Sequence, residues 1–112
     1  MNRWIQGLLI TLLILLMAPG LGNTEGISEG AELFQQHCAA CHINGGNIIR
    51  RGKNLKLKAL ERQGIASVGA IAEIAREGVG QMSGYGELLG PGGDQIVAEW
   101  IWEQAQKAWI QG

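Results

Sequence analysis

The run Cys38-Ala39-Ala40-Cys41-His42 constrains this chain more than any other feature of its sequence. Two thiols three positions apart on a helical turn reach both vinyl groups of one porphyrin. A histidine directly after the second thiol then aims its imidazole at the iron. C-x-x-C-H is the attachment signature of c-type haem. The chain also needs such a group: it has 112 residues, of which roughly 90 remain once a leader is set aside, and a domain that small buries only ~60–65% of its unfolded surface. With 2 cysteines it has no disulfide framework to complete a core.

Other readings of the same residues are weaker. A thioredoxin-like thiol pair uses C-x-x-C after a strand of a βαβ unit, whereas the run before Cys38 is helical in pattern. A zinc site drawn from His37, Cys38, Cys41 and His42 would require adjacent residues to converge on one tetrahedral ion, with no second ligand pair downstream. A disulfide between Cys38 and Cys41 would close too short a loop to restrain much chain. Bulk charge adds an exclusion: 9 lysines and arginines against 10 acids argue against nucleic-acid binding driven by positive charge.

The N-terminus has the layout of a signal peptide over residues 1–22. Arg3 supplies a cation, Leu8 to Met17 is apolar apart from Thr11, and Ala18, Gly20 and Gly22 offer small residues for cleavage near 20–22. Even from Trp4 to Leu21 the segment is at the short limit for a spanning helix, which takes ~20 residues. The expectation is export, leaving one domain over 23–112.

A second iron ligand follows by elimination. Haem iron takes histidine, methionine, cysteinate or tyrosinate. Both cysteines are used in attachment, and His37 lies on the same turn as the motif. Met1 and Met17 leave with the leader, so Met82 remains. It sits in Gly78-Val79-Gly80-Gln81-Met82-Ser83-Gly84-Tyr85-Gly86, where glycines let backbone pass close to a flat group. Lys53, Lys56, Lys58 and Tyr85 are outside candidates for ligation.

Periodicity predicts four helical segments and no sheet. The first starts near Ser28 as N-cap and runs through Gly30, Leu33 and Phe34 into the haem motif. The second covers about Leu57 to Gln63, and the third runs from Ser67 to Glu77. The last spans about Asp94 to Ile110, with Ile96, Val97, Trp100, Ile101 and Ala105 inward and Trp102 and Trp109 on a different side. Gly30 and Phe34 facing Ile96 and Trp100 predict a close crossing of the first and last helices.

Taken together, the sequence resembles the class I c-type cytochromes, and within them the cytochrome c6 family of small lumenal carriers. The likeness rests on Gly30, Phe34 and Cys38-Ala39-Ala40-Cys41-His42, then on Gly45-Gly46-Asn47-Ile48-Ile49, Lys53-Asn54-Leu55 and Gly80-Gln81-Met82. The ending from Trp100 to Trp109, with Gln104-Ala105, Lys107 and Trp109, completes it. The resemblance implies an all-α fold of about four helices around one covalent haem c, held by Cys38 and Cys41 with His42 and Met82 on the iron. It also implies a soluble one-electron carrier in the thylakoid lumen or periplasm, not an enzyme. Its donor would be the cytochrome bf complex and its acceptor photosystem I or a terminal oxidase. Ser83 departs from the proline usual after the ligating methionine, and Leu88-Leu89-Gly90-Pro91-Gly92-Gly93 is richer in glycine than the usual acidic helix start. Two rival functions follow from the same residues: a haem-based redox or gas sensor, if Met82 is labile, and a thiol–disulfide oxidoreductase using Cys38 and Cys41. Arg50, Arg51, Lys53, Lys56 and Lys58 form a basic stretch suited to an acidic partner surface.

Overall fold

The computed structural model describes residues 28–110; the signal-peptide segment lies outside the described residues. Among the described residues six α-helices follow one another: α1 (Glu29–His37), α2 (Ala39–His42), α3 (Leu57–Arg62), α4 (Val68–Glu77), α5 (Gly86–Leu89) and α6 (Gly93–Gln106). No strand occurs among the described residues, and Val79 and Met82 form an isolated antiparallel bridge.

Local chemistry explains where the helices start. The Ser28 hydroxyl accepts from the Ala31 N–H at 3.2 Å, and Ser67 does the same for Ala70 at 3.1 Å. Each satisfies a donor that the first turn leaves open. The stops are equally explicit at Gly78, where φ of 82° ends α4, a conformation that disfavours any residue with a Cβ.

The core is made where α1 and α4 both pack on α6. Phe34, Leu60, Ile71, Ala72, Ala75, Leu89, Val97, Ala98, Ile101, Ala105 and Trp109 form one buried cluster. The predicted crossing of the terminal helices is present. A Cβ on Gly30 would lie 2.6 Å from the Trp100 Cβ and 2.9 Å from the Ile96 carbonyl oxygen, so only glycine admits this approach. Phe34 then packs on Trp100 with ring centroids 4.9 Å apart, a separation typical of favourable aromatic pairs.

Three expectations need correction. The first helix does not run unbroken into the haem motif: Cys38, at φ −121° and ψ −34°, breaks it and begins α2. The last helix ends at Gln106, short of Ile110. Ala108 and Trp109 then adopt φ of 56° and 60°, a left-handed geometry that costs ~1–2 kcal/mol per non-glycine residue. That reversal turns Trp109 inward, so it is buried at 7% exposure and joins the core that the helix's inner face builds, where a different side was expected. The one-turn α5 carries no periodic signal and was not expected.

Candidate metal centre

Cys38, Cys41 and His42 come together on α2 and the residue that caps it. Cys38 closes α1 with its N–H donating to the Phe34 carbonyl at 2.8 Å. The same residue's carbonyl accepts from Cys41 N–H at 3.2 Å and His42 N–H at 3.0 Å, which winds the motif into one turn. Both cysteines are half-buried thiols with no disulfide between them.

The imidazole of His42 has a defined orientation. Its Nδ1 lies 2.7 Å from the Gly46 carbonyl oxygen. A carbonyl only accepts, so Nδ1 carries a proton and Nε2 is the ring nitrogen left to face a metal. This is the arrangement a metal-binding histidine requires, with its second nitrogen anchored to the backbone. The turn that supplies Gly46 is itself fixed, because Gly46 N–H donates to Ile43 O at 2.9 Å and Gly45 O accepts from Leu55 N–H at 2.7 Å.

The loop beyond is organised by two asparagines. Asn47 Oδ1 accepts from the N–H groups of Ile49 and Arg50 at 3.0 and 2.8 Å, and its amide donates to Lys53 O at 2.9 Å. Asn54 repeats the pattern, accepting from Lys56 N–H at 2.9 Å and donating to Arg51 O at 2.9 Å. Short polar side chains here replace helix or sheet ladders. On this loop Ile48 and Ile49 stand 63% and 62% exposed beside Arg50, Arg51 and Lys53.

Met82 sits in a tight turn after α4. Val79 and Met82 exchange both backbone hydrogen bonds, at 3.0 and 2.9 Å, around Gly80 at φ 56°. Glycine at the first central position of such a two-residue loop is the primed-turn pattern. The loop is pressed on the end of α4. A Cβ on Gly84 would lie 2.5 Å from Arg76 O, one on Gly78 would lie 2.5 Å from Met82 O, and Tyr85 N–H donates to Ala75 O at 2.8 Å. Tyr85 in turn meets His37, with ring centroids 6.5 Å apart. The methionine loop and the residue preceding Cys38 are therefore neighbours in space.

Residues His37, Cys38, Cys41 and His42 do not converge as a zinc site would. Among the described residues no group of three or more His, Cys, Asp or Glu side chains is placed to hold an ion. The thiol-exchange reading meets a second obstacle, because burial pushes the Cys38 thiol up to about 11. Reactive C-x-x-C pairs need the opposite, a thiolate stabilised near neutral pH. The donors present fit a covalent haem: two thiols on one turn, an imidazole with Nε2 available, and a thioether on a neighbouring glycine-built loop. Sequence reasoning named Gly46 without the role of its carbonyl, which holds His42, and did not single out Arg76. Arg76 donates from Nη1 to Asp94 at 2.7 Å and from Nε to Glu77 at 3.1 Å, tying α4 to the start of α6.

A cluster of short helices closed on a C-x-x-C-H turn is the class I fold of a c-type cytochrome. The comparisons agree. The family model described as cytochrome c oxidase, cbb3-type, subunit III matches residues 25–101. A "cytochrome c6-like" protein of Nostoc sp. (strain PCC 7120) is 42% identical over 111 residues, spanning 97% of this chain and 99% of the relative. Among solved structures, cytochrome c6B from Synechococcus sp. WH8102 is 72% identical with a TM-score of 0.75, over 79% of this chain and 100% of that one. Cytochrome c6C from Synechococcus sp. PCC 7002 is 48% identical with a TM-score of 0.69, over 71% and 98%. The chain belongs to the cytochrome c6 family, as a divergent member. It is a cytochrome c6-like electron carrier, and the family's one covalent haem c fits the Cys38–His42 motif.

Proposed function

We propose that this chain carries single electrons through one haem c, with Cys38 and Cys41 as the thioether anchors, His42 Nε2 as proximal iron ligand and Met82 Sδ as distal ligand. The observation that carries the reading is the 2.7 Å contact of His42 Nδ1 with Gly46 O inside the C-x-x-C-H turn. That contact holds one ring nitrogen against the backbone and leaves the other facing away from it. When bound, the haem supplies reversible one-electron redox chemistry.

The chain's own residues do the rest. Cys38 and Cys41 would fix the group's position, and Cys38 packs against the buried cluster that contains Phe34. A thioether from Met82 paired with the His42 imidazole raises the potential relative to harder donors. Gly78, Gly84 and the Tyr85 N–H hold the methionine loop in place where the family's proline is replaced by Ser83. With His42 and Met82 both ligating it, the bound haem would offer no open position to a substrate, and the function this reading gives is carriage without turnover.

The partners we infer are a cytochrome bf-type donor and a photosystem I or terminal-oxidase acceptor, with docking helped by Arg50, Arg51, Lys53, Lys56 and Lys58. All of these cations are exposed, and charges of one sign grouped this way speed encounter with an acidic surface. Export to the thylakoid lumen or periplasm, with residues 1–22 as a cleaved leader, is part of the same reading. Among the described residues no helix is long and apolar enough to cross a membrane.

Mass spectrometry of the exported protein, made in a host that attaches haem, tests the assignment. The expected product is heavier by one haem, with both thiols unavailable to alkylation. A product lacking that mass, or one with reactive Cys38 and Cys41, would favour the thiol reading. Rapid carbon monoxide binding by the ferrous form would favour the sensor.

A further inference from the structure

We infer that Trp109, at the far end of the chain, is a positioning residue for the His42 imidazole. The inference rests on the reading that His42 is the proximal ligand.

Three contacts connect the two residues. The indole of Trp109 lies on Gly45: a Cβ at Gly45 would fall 2.4 to 2.5 Å from the ring atoms Cε2, Cδ2 and Nε1. The indole Nε1–H donates to the Leu55 carbonyl at 3.1 Å, and Leu55 N–H donates to the Gly45 carbonyl at 2.7 Å. Gly45 is thus held from one side by a ring and from the other by a strand of backbone that the same ring anchors. The next residue, Gly46, offers the carbonyl that accepts from His42 Nδ1–H.

The backbone geometry supports a dedicated role. Ala108 and Trp109 both sit in the left-handed region, at φ 56° and 60°, and such outliers persist only where surrounding contacts over-determine them. Here those contacts are Gly45, Leu55, Phe34 at 5.4 Å between centroids and Trp100 at 5.7 Å. The Trp109 N–H also donates to Gln104 O at 2.8 Å, which closes the reversal. Phe34 and Trp100 alone would need any large apolar side chain. The indole N–H on Leu55 O and the flat ring on Gly45 ask for tryptophan.

The physical consequence concerns the strength of one hydrogen bond. A well-held Gly46 carbonyl draws the Nδ1 proton toward itself and makes Nε2 a stronger donor, which favours the oxidised metal. Loosening Gly45-Gly46 weakens that bond, so the potential rises and Nδ1–H exchanges faster with solvent.

The test uses full-length holoprotein bearing Trp109→Phe and Trp109→Leu. Proton NMR follows exchange of the His42 Nδ1–H, and a redox titration gives the potential. For Trp109→Leu the account expects exchange at least tenfold faster. It also expects an upward potential shift of about threefold in the redox equilibrium constant, ~28 mV at 59 mV per decade for one electron. Trp109→Phe keeps a ring over Gly45 but loses the donor to Leu55, so both changes should be smaller and of the same sign. If Trp109→Leu does not fold, Trp109→Phe decides alone. Unchanged exchange and potential in the folded variants, with His42 ligation intact in the parent, would overturn the inference. A parent whose Nδ1–H shows no paramagnetic shift in the oxidised form would instead remove the reading beneath it.

Discussion

Gly30 shows how much a single atom decides at this site. It lies under Trp100 with no room for a side chain, and the crossing it permits holds α1, and so the haem-bearing turn, against α6. Replacing it by valine forces the helices apart, an overpacking of ~1–3 kcal/mol. In a domain of this size each kcal/mol moves the melting temperature by ~4–8 °C, so calorimetry of Gly30→Val holoprotein should show a drop of at least that size. An unchanged melting temperature would mean that the two helices need no close contact. At the same scale, Met82→Ala should abolish the sulfur-to-iron absorption band, lower the potential and let the ferrous protein take up carbon monoxide. A variant that kept the parental spectrum would place the distal ligand elsewhere.

At the scale of elements, the Arg76 tie between α4 and α6 makes a pH prediction. The guanidinium hydrogen-bonds to Asp94 and holds that carboxyl below its ordinary 3.8. A folded-state value depressed in this way contributes stability above the unfolded value, and the contribution is lost as pH falls through the folded one. Melting temperatures of the parent and Arg76→Met should therefore differ at neutral pH and converge in acid, below pH 3.8. Equal melting temperatures at all pH values would show the pair to be idle, as many exposed pairs are. This tie was not legible in the sequence, since Arg76 and Asp94 are brought together only by the folding of α5 between them. The capped helices were legible, because Ser28, Ser67 and Gly78 carry their signals locally. So was the haem motif with His42. The reversal after Gln106 was hidden: Lys107-Ala108-Trp109 contains no glycine or proline, and much of what holds its left-handed turn, Gly45, Leu55 and Phe34, is distant in sequence. The break at Cys38 was hidden for the same reason. Gly46 was visible as a residue but not as an acceptor, because a carbonyl's partner depends on the fold and leaves no trace in composition.

Across the whole molecule, charge is sorted by location. Arg50, Arg51, Lys53, Lys56 and Lys58 share one segment with no acid among them, whereas Arg76 and Lys107 are paired with Asp94, Glu77 and Glu103. Fields of this kind are screened over ~10 Å at 0.1 M salt. Electron transfer to an acidic partner should slow as salt rises, and Lys53→Glu with Lys56→Glu should remove most of that dependence in stopped-flow measurements. A double variant with the parental salt response would take the basic segment out of docking. Backbone hydrogen bonds from Ile48 N–H to Cys41 O at 3.0 Å and from Leu55 N–H to Gly45 O at 2.7 Å tie this segment to the Cys38–His42 turn.

The claim on which all of this depends is a covalently held iron with both axial positions filled by the chain. An optical redox titration of the exported protein under carbon monoxide addresses it most directly. The account predicts a single reversible one-electron transition between two low-spin spectra, with the sulfur-to-iron band present in the oxidised form and no carbon monoxide adduct. A colourless folded protein, or a reduced form that binds carbon monoxide at once, would contradict it.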